Sequence, residues 1–228
     1  MVDVGGNDFY EVIKEYGEKV RFVDTGKEQY ASIKPNMLNK AIGTTDGAYW
    51  LTGVMTFDDM ADQEQAAGAY FKRSTQPNVT CMIYAIFPEN ATQKLAITHV
   101  VECNEKVDIV SHYVDTGEED EYYNPIKRPV YAERDVDVFI SMYTQAAKDA
   151  VVGSVDTTTM YMMIPAKYTI SSENRIMKDT FVYDPETHKN VLKRLPYQVE
   201  SVDTSMMDIS ANGTPIGILK CLLKEALE

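Results

Sequence analysis

Hydrophobic and polar residues alternate with a period of two along most of the chain, and only in a few places does the period lengthen to that of a helix. The runs "VTCMIYAIF" (79–87), "KLAITHVVEC" (94–103) and "KVDIVSHYVDT" (106–116) are rich in β-branched and aromatic residues. They are divided by "PENATQ" and a two-residue "NE" connection, a pattern that predicts a β-meander. Short alternating runs return in "TTTMYMMIPAKYTIS", "RIMKDTFVYD", "PYQVESVDTS" and "GILKCLLKEAL", with "DPETHKN" and "ANGTP" between them as turns. The last residues also suit a helical end.

Helical spacing is confined to three segments. Asp8 and Glu11 have the form of a capping box, and Phe9, Val12, Ile13 and Tyr16 then recur on one face before Gly17, predicting a short amphipathic helix. "KVRFVDTG" reads as a strand running into a turn at Gly26, and residues 31–57, punctuated by Pro35, Gly43, Gly47 and Gly53, as a long loop leading into a strand. Asp58 or Asp59 can cap a second helix over "MADQEQAAGAYFKRS", in which Met60, Gln63, Ala67, Tyr70 and Phe71 share a face; Gly68 weakens it by about 1 kcal/mol relative to Ala. Residues 135–151 fit both periods, because Val136, Val138 and Ile140 alternate while Phe139, Tyr143, Ala146, Ala147 and Ala150 share a helical face; length and alanine content favour the helix. The predicted class is mainly β with a few helices (α+β), a small antiparallel β-barrel or sandwich with peripheral helices and long loops. Residues 1–75 form a helix, strand and helix portion, and 76–228 a β-rich portion with a barrel-like segment at about 155–228.

The triplet Val-Asp-Thr occurs four times, at Val23-Asp24-Thr25, Val114-Asp115-Thr116, Val155-Asp156-Thr157 and Val202-Asp203-Thr204. Asp and Thr at strand ends hydrogen-bond nearby backbone amides, so strand termination is the economical reading. "VDTGKEQY" and "VDTGEEDEY" match as far as an ancient duplication would require, but over too short a span to establish a repeat.

Composition narrows the function. A chain of 228 residues with a net charge of −13 is long enough for a sizeable core and disfavours direct nucleic-acid binding, which needs clustered Lys and Arg. Cys81, Cys103 and Cys221 are an odd count without a disulfide framework, and there is neither a secretory start nor an 18-residue apolar run. Phosphate-loop, dinucleotide-loop and nucleophile-elbow patterns are missing, and only His99, His112 and His188 could serve a Ser-His pair. His99 and Cys103, with Cys81 and His112 on neighbouring strands, have the residue types of a zinc site without its spacing. No catalytic residue, cofactor or metal site is predicted. Two features stand out instead: the acidic run Glu118, Glu119, Asp120 and Glu121, and the aromatic and Met-rich stretches Tyr122-Tyr123 and Met160-Tyr161-Met162-Met163, which suit either subunit interfaces or ordinary core.

"IPAKYTISSENRI" (164–176), "YQVESVDTS" (197–205) and "GILKCLLKE" (217–225) together resemble the head-tail connector, or head-closure (stopper, neck), proteins of tailed bacteriophages. The resemblance departs at Asn174, where an acidic residue is common, and in the longer insert "DTFVYDPETHKNVLKRL". It implies a non-enzymatic virion protein, assembled in the host cytoplasm as a homo-oligomeric ring of six or twelve copies between the portal or adaptor and the tail proteins. Genome DNA would pass through without sequence-specific binding and no membrane would be involved. Glu118, Glu119, Asp120 and Glu121 are then candidates for the channel lining, because carboxylates repel phosphates, and Tyr122, Tyr123, Met160, Tyr161, Met162 and Met163 for the subunit interface. A tail-tube, tail-terminator or capsid accessory role is the alternative within that class, and a soluble ligand-binding or enzymatic β-rich domain the alternative outside it.

Overall fold

The fold is taken from a computed structural model that describes residues 6–35, 51–57, 62, 66–88, 94–142 and 160–226. Among the described residues, helix α1 (Gly6–Tyr16) precedes twelve strands: β1 (Glu18–Phe22), β2 (Glu28–Pro35), β3 (Leu51–Thr56), β4 (Tyr70–Arg73), β5 (Gln76–Pro88), β6 (Leu95–Glu102), β7 (Glu105–Glu119), β8 (Pro125–Met142), β9 (Met160–Pro165), β10 (Arg175–Asp184), β11 (Lys189–Ile209) and β12 (Pro215–Glu225). The mainly β class read from the alternation holds, and the strands close into two antiparallel barrels rather than one.

Each barrel is filled by the inward positions of its strands. Val20, Ala31, Met55, Phe71, Cys81, Ile83 and Val100 fill the first; Val107, Ile109, Val138, Met162, Ile164, Ile176, Val199, Cys221 and Leu223 fill the second. Full burial of one large apolar side chain contributes roughly 1.5–3 kcal/mol, and closure removes the free edges that would otherwise template aggregation. The first barrel closes where β1 meets β4, with Phe22 opposite Phe71, and the second where β7 meets β10, with Val107 opposite Lys178. Helix α1 lies against β2 and β3 and leaves Phe9, Val12 and Tyr16 exposed.

The two barrels have one topology. Around the first the order is β1-β2-β3-β6-β5-β4, and around the second β7-β8-β9-β12-β11-β10, so each is a pair of three-stranded units joined in the same way. Glu18-Lys19-Val20 opens the first strand of one barrel and Glu105-Lys106-Val107 the first strand of the other. Val23-Asp24-Thr25-Gly26 follows the end of β1, and Val114-Asp115-Thr116-Gly117 lies inside β7 where its pairing with β8 is interrupted. Counted from these strand starts, the matching Val-Asp-Thr-Gly stands four residues farther along in the second copy.

Where the barrels meet, backbone touches backbone. Gly217 N–H donates to the Ala67 carbonyl (2.9 Å), Gly68 N–H to Ile83 (2.9 Å) and Ala166 N–H to Gly217 (2.9 Å). Gly68 has φ +78° and Gly217 φ +92°; a Cβ on Gly68 would stand 2.1 Å from the Gly217 oxygen, and one on Gly217 would stand 2.1 Å from the Met206 oxygen. Only glycine fits both positions. Around this contact Tyr70, Met82, Tyr84 and Val101 of the first barrel pack on Phe139, Met163 and Ile218 of the second. Tyr70 Oη donates to the Asp137 carbonyl, Thr80 Oγ1 donates to Asp137 Oδ2 (2.9 Å), and the linker residue Asn104 exchanges two 2.8 Å bonds with the Ile140 backbone.

Several sequence expectations change. The "NE" connection does not continue a meander: β6 pairs with β3 and β5, β7 with β8 and β10, and Asn104 carries the chain from one barrel to the other. A division near residue 75 falls between β4 and β5 of the first barrel, whereas the barrels join at Cys103-Asn104. The end of the expected second helix is a turn followed by β4, because Gly68 turns the chain and Tyr70 and Phe71 are buried on opposite sides, one in the seam and one in the first core. Alternation wins at 135–142, which belong to β8, while 143–151 lie outside the described residues. Residues 31–35 are strand, and the C-terminal segment is β12 and not a helix.

Gly68→Ala and Gly217→Ala should each destabilise the chain by at least the ~1–3 kcal/mol of a forced left-handed residue, with further loss from the backbone clash. Thermal unfolding checks this; a melting temperature unchanged by either would contradict the seam.

Candidate assembly surfaces

Strand lengths in the second barrel exceed what its wall uses. Typical strands run about 5–6 residues, whereas β7, β8 and β11 have 15, 18 and 21. The excess projects as two-stranded ribbons, and their directions follow from the register. β10 opposes β7 from Arg175↔Val110 to Lys178↔Val107. Residues of β10 beyond Lys178 therefore run out past the start of β7, and residues of β7 beyond Val110 run out the other way. The β10–β11 hairpin leaves one pole of the barrel. The β7–β8 and β11–β12 hairpins leave the other.

The pole of the β7–β8 and β11–β12 tips is acidic. Glu118, Glu119, Asp120, Glu121 and Asp208 lie in tips without Lys or Arg, while Asp115 and Asp203 at their bases face Lys127 and Lys220 across the ribbons. Its β7–β8 turn is built by Asp120, whose Oδ1 accepts from the Tyr122 and Asn124 amides at 2.8 and 2.9 Å and whose Oδ2 accepts from Asn124 Nδ2 at 3.1 Å. This turn, with Tyr123 at φ +66°, holds Tyr122 and Tyr123 outward, 74% and 83% exposed.

At the opposite pole Phe181 faces Leu192 across the β10–β11 ribbon and Tyr183 follows on the same face. They are 72%, 57% and 58% exposed. The other face carries Thr180, whose hydroxyl meets Tyr197 Oη at 3.0 Å, and Val182 opposite Val191. Inland the ribbon is tied down by Arg194, which reaches Asp108 at 2.9 Å and Asp179 at 3.2 Å, and by Lys178, 3.3 Å from Glu105. At its turn Asp184 accepts from Thr187 Oγ1 (2.7 Å) and Glu186 N–H (3.0 Å), and Tyr183 Oη meets His188 Nδ1 at 2.9 Å.

A cleft of about 250 Å³ lies between the barrels, floored by Phe22, Ala66 and Ile216 and rimmed by polar side chains. Its carboxylates are ion-paired: Asp24 with Lys167 at 2.6 Å and Asp62 with Lys27 at 2.5 Å. The Lys167 ammonium also stands over the rings of Tyr70 and Tyr168, at 5.1 and 5.3 Å. Ser210 Oγ donates to Thr214 O within its own turn, and no histidine lines the cleft. Elsewhere Ser111 Oγ meets His112 Nδ1 at 2.9 Å, but it gives its proton to the Val130 carbonyl at 3.0 Å. The imidazole is then donor rather than base, the reverse of what a nucleophile needs.

Burial pushes the Cys81 and Cys221 thiols up to about 12, and raises that of Cys103 for the same reason; a thiol so shifted is a poor nucleophile near neutrality. His99 packs edge-on against Phe87 at 5.1 Å between ring centres, and burial lowers its pKa. Among the described residues no three of His, Cys, Asp and Glu gather as metal ligands.

The sequence candidates separate. Glu118, Glu119, Asp120, Glu121, Tyr122 and Tyr123 share one exposed hairpin end. Met160 and Met162 fill the second barrel, so they are core and present nothing to a neighbouring chain; Met163 is buried in the seam with Tyr161 packed beside it, for the same outcome. Asp24 stands at a turn; Asp115 and Asp203 mark pairing irregularities inside β7 and β11, where their Oδ1 atoms accept from Gly117 N–H and Ser205 N–H, each at 2.8 Å. Val155-Asp156-Thr157 lies outside the described residues. Phe181, Tyr183 and Leu192 were not singled out, although the unbroken apolar run Phe181-Val182-Tyr183 signals a strand with apolar side chains on both faces.

The backbone amide of Asn124 at Asp120, that of Ser205 at Asp203 and the Thr187 hydroxyl at Asp184 are the leading causes that hold these three carboxyls below the ordinary carboxylate range. A folded value below the unfolded one stabilises above the unfolded value of about 3.9 and is lost as pH falls through the folded value. Carboxyl-carbon NMR should show these three titrating below the other exposed aspartates, with the hairpin turns loosening only in that range; ordinary titration would contradict the turn geometry. Comparison of the chain with protein-family models, curated proteins and solved structures gives no match.

Proposed function

We propose that the chain is a non-enzymatic structural subunit of a tailed-phage virion, one member of a homo-oligomeric ring at the head-tail neck through which genome DNA passes. The observation that carries this reading is the pair of ribbons projecting from opposite poles with rings and aliphatic side chains in water. A two-stranded ribbon is marginal alone, and exposed aromatic groups of this kind mark protein contacts. The three segments that resemble connector proteins also fall together: 164–176 leaves β9 and enters β10, 197–205 is in β11 and 217–225 in β12, four strands adjacent in the order β10-β11-β12-β9.

The charge supports the same reading. At a net charge of −13 a ring of such subunits repels a duplex and lets it slide without adhering. The cleft between the barrels favours a second reading, a small-molecule binding domain, but its carboxylates and ammonium groups already satisfy one another.

Native mass spectrometry of the full chain, alone and with capsid, portal and tail components, is the direct test. A closed oligomer, or a monomer captured by a portal-like ring, is expected, with no retention of duplex DNA at low salt. A monomer that ignores these components, or one that binds duplex DNA tightly, would overturn the proposal.

A further inference from the structure

Resting on that reading, we infer that successive subunits join head to tail, the Tyr122-Tyr123 tip of one copy seating on the Phe181, Tyr183 and Leu192 face of the next. The two patches sit on opposite poles of one rigid barrel, which fixes the kind of contact. An isologous pair would bring like pole to like pole. At the acidic pole that would set Glu118, Glu119, Asp120 and Glu121 of two copies against each other, with no Lys or Arg in either tip, a juxtaposition that like-charge repulsion opposes.

The other pole is suited to receive that tip. Beyond the Arg194–Asp179 pair the β10–β11 ribbon carries Lys189 and Lys193 against Asp184 and Glu186, and Asp184 is occupied by its own turn. Lys189 directly opposes Asp184 and the two lysines balance the two carboxylates, so the ribbon sets no net negative charge against an acidic visitor beside its apolar face. Phe181 and Leu192 are directly opposed, so with Tyr183 they form one continuous surface for two tyrosine rings. A head-to-tail contact covers both exposed patches with copies of the same chain, and it also puts the acidic tip at the subunit junction instead of free in the bore.

The test uses two variants of the full chain: Tyr122→Ser with Tyr123→Ser, and Phe181→Ser with Leu192→Ser. All four side chains are more than half exposed, so both variants should melt as the wild type does. Sedimentation velocity should show assembly of each variant alone weakened by about 30-fold or more, as for interface hot spots. Mixed, they should form a complex of two subunits and no larger, because the tip variant keeps an intact ribbon face and the other an intact tip. A tip variant that still dimerises alone, a mixture that stays monomeric, or variants that assemble as the wild type does would overturn the inference while leaving the ring reading standing. A wild type that is itself monomeric at every concentration and with capsid parts would remove both.

Discussion

The two barrels are locked to each other by the contact between Gly68 and Gly217. The two barrels come close enough for main chain to meet main chain, and the hydrogen bond from Gly217 N to Ala67 O crosses between them. A side chain at Gly68 would force the barrels to separate or tilt, and one at Gly217 would push β12 away from Met206 of the neighbouring β11. Tyr70, Met82 and Tyr84 could not then reach Phe139, Met163 and Ile218, and the polar links of Asp137 and Asn104 would lose their geometry. Two backbone positions thus set the frame in which the two barrels meet.

That frame explains why one topology used twice does not give two equivalent halves. The first barrel has a short opening hairpin, and its Asp24 is drawn into the seam by Lys167. In the second, the same strand is extended by four residues before the matching Val-Asp-Thr-Gly, and Asp115 instead folds the run-up to a free hairpin tip. A sequence feature that ties the barrels together in one copy becomes part of an outward arm in the other. Closure removes the free edges of the barrel walls and leaves them only on the projecting ribbons.

Alternation made the β class, the turns and most strands legible, because a half-buried strand must show its two faces in sequence. Pairing was less legible. "KLAITHVVEC" and "KVDIVSHYVDT" look like consecutive strands of one sheet, and nothing local says that Asn104 between them bridges to Ile140 across 36 residues of sequence. The end of the expected second helix, at Tyr70 and Phe71, is strand for a related reason: these neighbours serve two different cores, as alternating strand positions do. Met160, Met162 and Met163 were read as interface or core with equal justice, since apolar surface is the same chemistry whether a sheet or a neighbour covers it. Tyr122 and Tyr123 were recognisable because they sit beside an acidic, proline-flanked turn. Phe181, Tyr183 and Leu192 were hidden, since their exposure depends on β10 and β11 outrunning β7, a matter of register and not of composition.

Electron microscopy of the assembled full chain, at a resolution that separates strands, tests the central claim most directly. The account predicts subunits related by a single rotation, each with its β7–β8 tip against the β10–β11 ribbon of the next and both barrels in the fixed relation set by Gly68 and Gly217. Subunits paired by two-fold axes through like poles, or ribbons left in solvent while some other surface makes the contact, would contradict it.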